Sequence, residues 1–158
     1  MISFREARKE DVTLILHYIK KLAMYEKMSD AVKATEDTLL ESIFNRKQAN
    51  VYFILKHGKE IGFAVTYHQF STFVGKSGLF LEDIFIDEEA RHQGYGKLFF
   101  KYLIEHALDQ GYERFEWNCL DWNQPSIDFY VSLGANPLSD WTTYRLTTTD
   151  MKAFIQKK

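Results

Sequence analysis

The order in which apolar periodicities follow one another predicts a mixed α/β fold, a sheet with helices on its faces. Three observations carry that expectation. Short runs rich in Val, Ile, Phe and Tyr, bounded by glycine or polar turns, alternate with segments whose apolar residues return every three or four positions. The 158 residues are 46% hydrophobic with only two prolines and eight glycines, which suits one substantial core and argues against disorder. No internal repeat, low-complexity tract or linker interrupts the pattern, so one domain spanning 1–158 is expected.

ISFREA (2–7) reads as the first strand. Asp11 stands where an N-cap belongs, ahead of a helix on which Ile15, Ile19, Leu22 and Ala23 recur at helical spacing. A second helix is expected from Thr35, with Leu39, Leu40, Ile43 and Phe44 as its apolar face. VYFILK (51–56), the turn HGKE and IGFAVTYHQF (61–70) form a hairpin. GLFLEDIFI (78–86) is a further strand, nearly continuous in apolar residues except at Glu82 and Asp83. Helical spacing returns in Leu98, Phe99, Tyr102, Leu103, His106 and Ala107 and stops near Gly111. RFEWNCL (114–120) is a strand, and Asn123 with Pro125 opens a short helix ending at Gly134. TTYRLT (142–147) is a late strand, and Asp150 caps a final turn or two. The expected order is β-α-α-β-β-β-α-β-α-β-α.

Composition narrows the partners. A net charge of -2 with scattered basic residues speaks against a nucleic-acid surface. The single Cys119 excludes an internal disulfide, fits a reducing compartment, and reads as a small hydrophobe in a strand interior. MISFREARKED has no apolar core of a signal peptide, and no apolar stretch approaches the ~18 residues of a membrane span. No membrane association and a cytoplasmic location are the expectation. With no histidine pair at metal spacing and no cysteine cluster, no metal is expected. Trp117, Trp122 and Trp141 read as packing residues, while Phe70, Phe73 and Phe80 fit a slot wall or a core equally well.

Between a strand and a helix lies Arg91-His92-Gln93-Gly94-Tyr95-Gly96. Glycines permit a sharp turn and close approach, and the next helix begins with unpartnered N–H groups and a positive dipole end. That combination suits phosphate oxygens, although an ordinary loop with two glycines explains the spacing as well. VGKSG (74–78) holds the G-K-S of a P-loop, but the motif needs a glycine where Phe70 stands and a helix where a strand follows. A dinucleotide fingerprint fails at Phe99, where its third glycine would fall.

R-x-x-G-x-G after such a strand resembles the acetyl-CoA pyrophosphate loop of the GNAT acetyltransferase superfamily. LAMYEKM (22–28), GLFLEDIFI (78–86), RHQGYGK (91–97) and WNQPSIDFYVSLGA (122–135) are similar, in order, to segments of the diamine (spermidine/spermine) N-acetyltransferase type. The likeness runs from Ile2 to about Leu146, and related members accept thialysine or other amines. The resemblance implies a mixed, mostly antiparallel twisted sheet with a splayed strand pair and helices on both faces. It implies acetyl-CoA as co-substrate, with backbone groups of Ile84, Phe85 and Ile86 along the pantetheine arm and His92, Gln93, Gly94, Tyr95, Gly96 and Lys97 around the pyrophosphate. Arg91 adds charge there, and Asn123, Ser126 and Tyr130 make further cofactor contacts. Glu82 matches a general base acting through water, and Tyr130 matches a general acid. Tyr25, Glu26, Glu82 and Asp83 match the acceptor-binding segment, with Asp30 beside them. A homodimer is implied, with TTYRLT near its interface.

Amine acetylation poses two proton problems. An alkylammonium of pKa ~10.4 is the nucleophilic free amine in about one molecule in 2,500 at pH 7, roughly 4.6 kcal/mol of barrier unless deprotonation is assisted. The departing thiolate, of pKa near ~8.5, needs a proton or a strong hydrogen bond. Without the resemblance, Glu82 reads as a sheet-edge carboxylate and Tyr130 as a core or rim aromatic. Strand alternation sends Glu82 and Asp83 to opposite faces of the sheet. A phenol of pKa ~10 protonates such a thiolate uphill by roughly 2 kcal/mol, so Tyr130 is expected to hydrogen-bond the sulfur as charge develops. Spaced carboxylates suit a polyamine, whereas Lys27 and Lys76 in the same segments suit a zwitterion such as a lysine analogue; both acceptors remain open. So do acetylation of a protein N-terminus or lysine, and a CoA-binding regulatory module without turnover.

Overall fold

A computed structural model describes residues 1–157. The chain forms two compact units, Met1–Asn118 and the remainder from Cys119. The first holds a five-stranded sheet: β1 (Ile2–Glu6), β2 (Asn50–Lys56), β3 (Lys59–Ser71), β4 (Lys76–Ile86) and β5 (Phe115–Trp117), adjacent in that order. Neighbours are antiparallel from β1 to β4, and β5 runs parallel to β4. β2 and β3 are joined through His57 (φ 51°) and Gly58 (φ 80°), two left-handed residues whose twist matches the flanking strands. A parallel pair cannot be closed by a tight turn, and the crossover is the long helix α3 (Tyr95–Asp109).

Helix α1 (Val12–Tyr25) turns Ile15, Tyr18 and Leu22 onto one face of the sheet, against Phe53, Phe63, Val65 and Phe85. The Tyr18 ring stacks on Phe63 at 5.3 Å. α2 (Glu36–Leu39) starts at Thr35, whose hydroxyl accepts from the Thr38 N–H, and continues as a π-turn over Leu40–Asn45. Its Leu39, Ile43 and Phe44 pack on the same core. α3 buries Phe99, Phe100, Leu103 and Ala107, and its Tyr102 stacks at 4.5 Å on Phe4 of β1. With both faces covered, β2 can bury five consecutive residues, Val51 to Leu55.

Local details depart from the sequence expectation. Asp11 precedes α1, but its carboxylate does not cap that helix; it accepts from the Arg8 N–H at 2.7 Å and pairs with Arg5. An arginine in reach is the stronger partner. β5 covers three residues of the expected seven and leaves the half-buried Cys119 outside the strand. Phe80 is core, whereas Phe70 and Phe73 are exposed around the β3–β4 turn.

The second unit contains α4 (Gln124–Ser132) and α5 (Thr148–Gln156). Asn123 caps α4, accepting from the Ser126 N–H. α5 has two and a half turns rather than one or two, and Thr147 is its cap, with Asp150 answering from the third helical position. Residues 142–147 form no strand, and Tyr144 is 92% exposed. A strand exists by pairing, and its residue preferences measure fit to a half-buried sheet, which this segment lacks among the described residues. Trp117 packs edge-on against Phe100, while Trp122 is 51% exposed and Trp141 82% exposed. No helix among the described residues is long and apolar enough to cross a membrane.

Candidate active site

The site begins at an irregularity in β4. Val65 of β3 pairs with Asp83, yet the next residue, Thr66, pairs with Leu81, so Glu82 is the extra residue of a bulge. Phe80 then pairs with Tyr67. Val65 and Tyr67 share a face of β3, so Asp83 and Phe80 share one on β4 although an odd step separates them. The alternation that would part Glu82 from Asp83 is broken at this point. The strict alternation on which the expectation of opposite faces rested does not hold here.

The electrostatics reflect the crowding. Burial first, then the charges of Glu82 and Glu26, push Asp83 up to about 7. Glu26, one residue past α1, is raised by burial and then by Glu82. Burial and then Glu82 likewise raise the Tyr67 phenol, whose ring lies 5.0 Å from Phe80. Glu82 is exposed and the other three are half-buried. Among the described residues, none of the three carboxylates forms an ion pair. Lys76, at the start of β4, is neutralised by Glu113 at 2.7 Å. Asp30 is exposed in the turn Ser29–Ala31.

Downstream, β4 loses its neighbour. The β4–β5 ladder covers only Leu79–Leu81 with Phe115–Trp117, so the β5-facing edge of Glu82–Ile86 is unladdered. Phe85 sends its ring into the α1 core and pairs with Phe63 of β3, so Ile84 and Ile86 are the residues whose backbone faces the unladdered edge. The chain then turns through Glu88–Ala90, His92 (φ 59°) and Gly94 (φ 80°) into α3. Beyond its chain neighbours, no atom of the described residues lies within 4 Å of where a Gly94 side chain would start, so glycine serves there by its conformation. The first bond of this helix runs from the Leu98 N–H to the Gly94 carbonyl at 3.1 Å, and the N–H groups of Tyr95, Gly96 and Lys97 precede the ladder. The first turn has no acidic residue. Such an end fits a phosphate.

Arg91 is differently engaged. Its Nε donates to the Ile86 carbonyl at 2.9 Å, and its guanidinium lies 5.0 Å from the ring centres of both Tyr25 and Phe85. Tyr25 and Arg91 are thereby brought together, tying the loop to the end of α1. Gln93 donates to the Glu89 carbonyl and accepts from Lys56 Nζ at 3.2 Å. In the second unit, Tyr130 is half-buried on α4, and its carbonyl accepts from the Leu133 and Ala135 N–H groups. Asn123 is buried and Ser126 half-buried. Tyr67 and Lys56 escaped the sequence reading: only the strand register puts Tyr67 beside Glu82, and only the packing of α3 puts Lys56 beside Gln93.

Residues 17–135 match the Acetyltransferase (GNAT) family. The chain belongs to that family. It is 34% identical to a thialysine N-epsilon-acetyltransferase of Sus scrofa, over 99% of this chain and 98% of the relative. It is 27% identical to an L-ornithine N5-acetyltransferase of Arabidopsis thaliana, over 94% and 86% of the two chains. Among solved structures, an integron cassette protein of V. cholerae superposes with a TM-score of 0.80 at 22% identity, covering 99% and 98%. The five-stranded sheet, antiparallel but for one parallel pair, is the GNAT fold. The chain is an amine N-acetyltransferase, of a family whose enzymes use acetyl-CoA. Among the described residues no cluster of three His, Cys, Asp or Glu side chains could hold a metal.

Proposed function

We propose that the protein transfers an acetyl group from acetyl-CoA to a primary amine of a small molecule, in one domain spanning the chain. An amino acid with a side-chain amine is the first candidate acceptor and a diamine or polyamine the second. One observation carries this reading: Glu26, Glu82 and Asp83 gather around the β4 bulge with no cation paired to them among the described residues, an arrangement that favours a positively charged acceptor. Thialysine and ornithine, in the names of the two relatives, are amino acids with such an amine.

Acetyl-CoA supplies the acetyl group as an activated thioester. The unladdered edge at Ile84–Ile86 suits the amides of an extended arm, added like a strand. The N–H groups at the start of α3, with His92, Gln93 and Gly94, suit the pyrophosphate. Asn123 and Ser126 add contacts from the start of α4. Asp83 and Glu26 hold the ammonium, and Glu82, exposed at the bulge, takes its proton through a water. Tyr130 donates a hydrogen bond to the leaving sulfur as negative charge grows on it. The protein works as a homodimer.

A thiol-release screen tests the assignment, with acetyl-CoA against thialysine, ornithine, lysine, spermidine, aminoglycosides and peptides. Saturable turnover of the amino acids or the polyamine is expected. Turnover confined to peptides would replace the small-molecule reading, and tight acetyl-CoA binding without release on any amine would leave a regulatory module.

A further inference from the structure

At the edge of the phosphate loop is a basic corner that the assigned residues do not use. Lys56 and Lys59 are direct cross-strand partners at the closed end of the β2–β3 hairpin, so their side chains leave the same face. Like charges in that position repel. His57 lies between them, beside the N-terminal amine at 3.3 Å, and the adjacent Glu60 carboxylate is taken by Arg5. Among the described residues neither lysine has an ion-pair partner.

Lys56 shares its face of β2 with Tyr52 and Ile54, the side on which α3 packs. Its ammonium consequently reaches the loop, bonding the neutral carbonyl of the Gln93 side chain and lying 5.3 Å from the ring centre of Tyr95, the first residue of α3. The arginine of the loop does not fill this place, being held at Ile86, Tyr25 and Phe85. An ammonium held only by a neutral amide and a ring face has no carboxylate competing with an incoming anion.

We propose that Lys56, seconded by Lys59, is a cofactor-binding residue that contacts a phosphate group at the nucleotide end of acetyl-CoA. This rests on the acetyl-CoA reading given above. The chemistry recognised is a phosphate oxygen, whether of the pyrophosphate or of the ribose phosphate.

Titration calorimetry on the full chain, with acetyl-CoA, acetyl-dephospho-CoA and the phosphate-free S-acetylpantetheine, tests it. Lys56→Ala should weaken acetyl-CoA roughly five- to tenfold, Lys56→Glu should weaken it further, and Lys56→Arg should restore most of the loss. S-acetylpantetheine should change less than about twofold in every variant, because it lacks the phosphates. Loss of the Lys56→Ala effect with the dephospho compound would support the ribose phosphate as the contact, and its persistence the pyrophosphate. Unaltered acetyl-CoA affinity in both Lys56→Ala and Lys56→Glu would overturn the proposal, as would equal weakening of S-acetylpantetheine. Wild-type protein that binds no acetyl-CoA would instead sink the underlying reading.

Discussion

The end of β4 and the loop that follows it are neighbours in sequence with opposite electrostatic characters. At the bulge, Glu82 and Asp83 join Glu26 in a cluster that, among the described residues, has no ion-paired cation. A few residues on, the backbone turns left-handed at Gly94 and offers N–H groups and nearby lysines, with no acid in the first helical turn. Each pole lacks what its proposed ligand carries, an ammonium at one and phosphates at the other. The devices also differ: the acidic pole depends on side chains brought together by a register shift, and the other depends mainly on backbone. Damage at the first should fall on chemistry and on pH response. At the second it should fall on cofactor affinity.

Substitution at Glu82, the proposed base, should separate the poles most sharply. Glu82→Gln is expected to lower kcat/KM for the amine about 100- to 1,000-fold at pH 7 while leaving acetyl-CoA affinity within about threefold. The deficit should shrink toward pH 10, where the amine loses its proton unaided; a loss constant across pH would deny Glu82 that task. Next in size, Tyr130→Phe should reduce kcat roughly 10- to 100-fold with a smaller change in KM for acetyl-CoA. Unchanged turnover would remove the proton-donor role.

Gly94→Ala examines the backbone pole. The added methyl meets none of the described residues beyond its chain neighbours within 4 Å, so the effect is conformational: a φ of 80° opposes a side chain by about 1–2 kcal/mol. Acetyl-CoA should bind several-fold more weakly by calorimetry. An equal loss of amine affinity would blur the distinction between the poles.

Asp83→Asn should show the smallest effect, as a pH-dependent stability. A carboxyl whose folded pKa lies above its unfolded value opposes folding once ionised. The cost is absent below about 3.8, grows as pH rises, and is complete above about 7. Urea unfolding should find the variant more stable than wild type by about 1–2 kcal/mol at pH 8 and indistinguishable from it at pH 4. A gain of the same size at both pH values would mean that packing, not charge, is responsible.

Much of the proposed phosphate pole was legible in the sequence because its signal is local. Glycines at positions 94 and 96 between an apolar strand and a helical periodicity specify a turn and a helix start wherever the strand lies. The acidic pole was legible only as residue types. Alternation assigned Glu82 and Asp83 to opposite faces, and the bulge that breaks it depends on how β3 and β4 align. Tyr67 and Lys56 were hidden for the same reason. TTYRLT shows the converse: its side chains suit a strand, but they cannot supply the partner that makes one.

By itself the sequence determined the number and kind of most elements, the hairpin turn at His57–Gly58, the phosphate-suited loop and the family likeness. All of these depend on residues near one another in the chain or on motifs in order. Only the tertiary structure decided which charges meet: the register across β3 and β4 that crowds three carboxylates, the short β5 that exposes an edge of β4, and the packing of α3 that brings Lys56 to the loop. Pairing between strands and the seating of a helix are set by contacts between distant segments. Side-chain periodicity alone does not encode them.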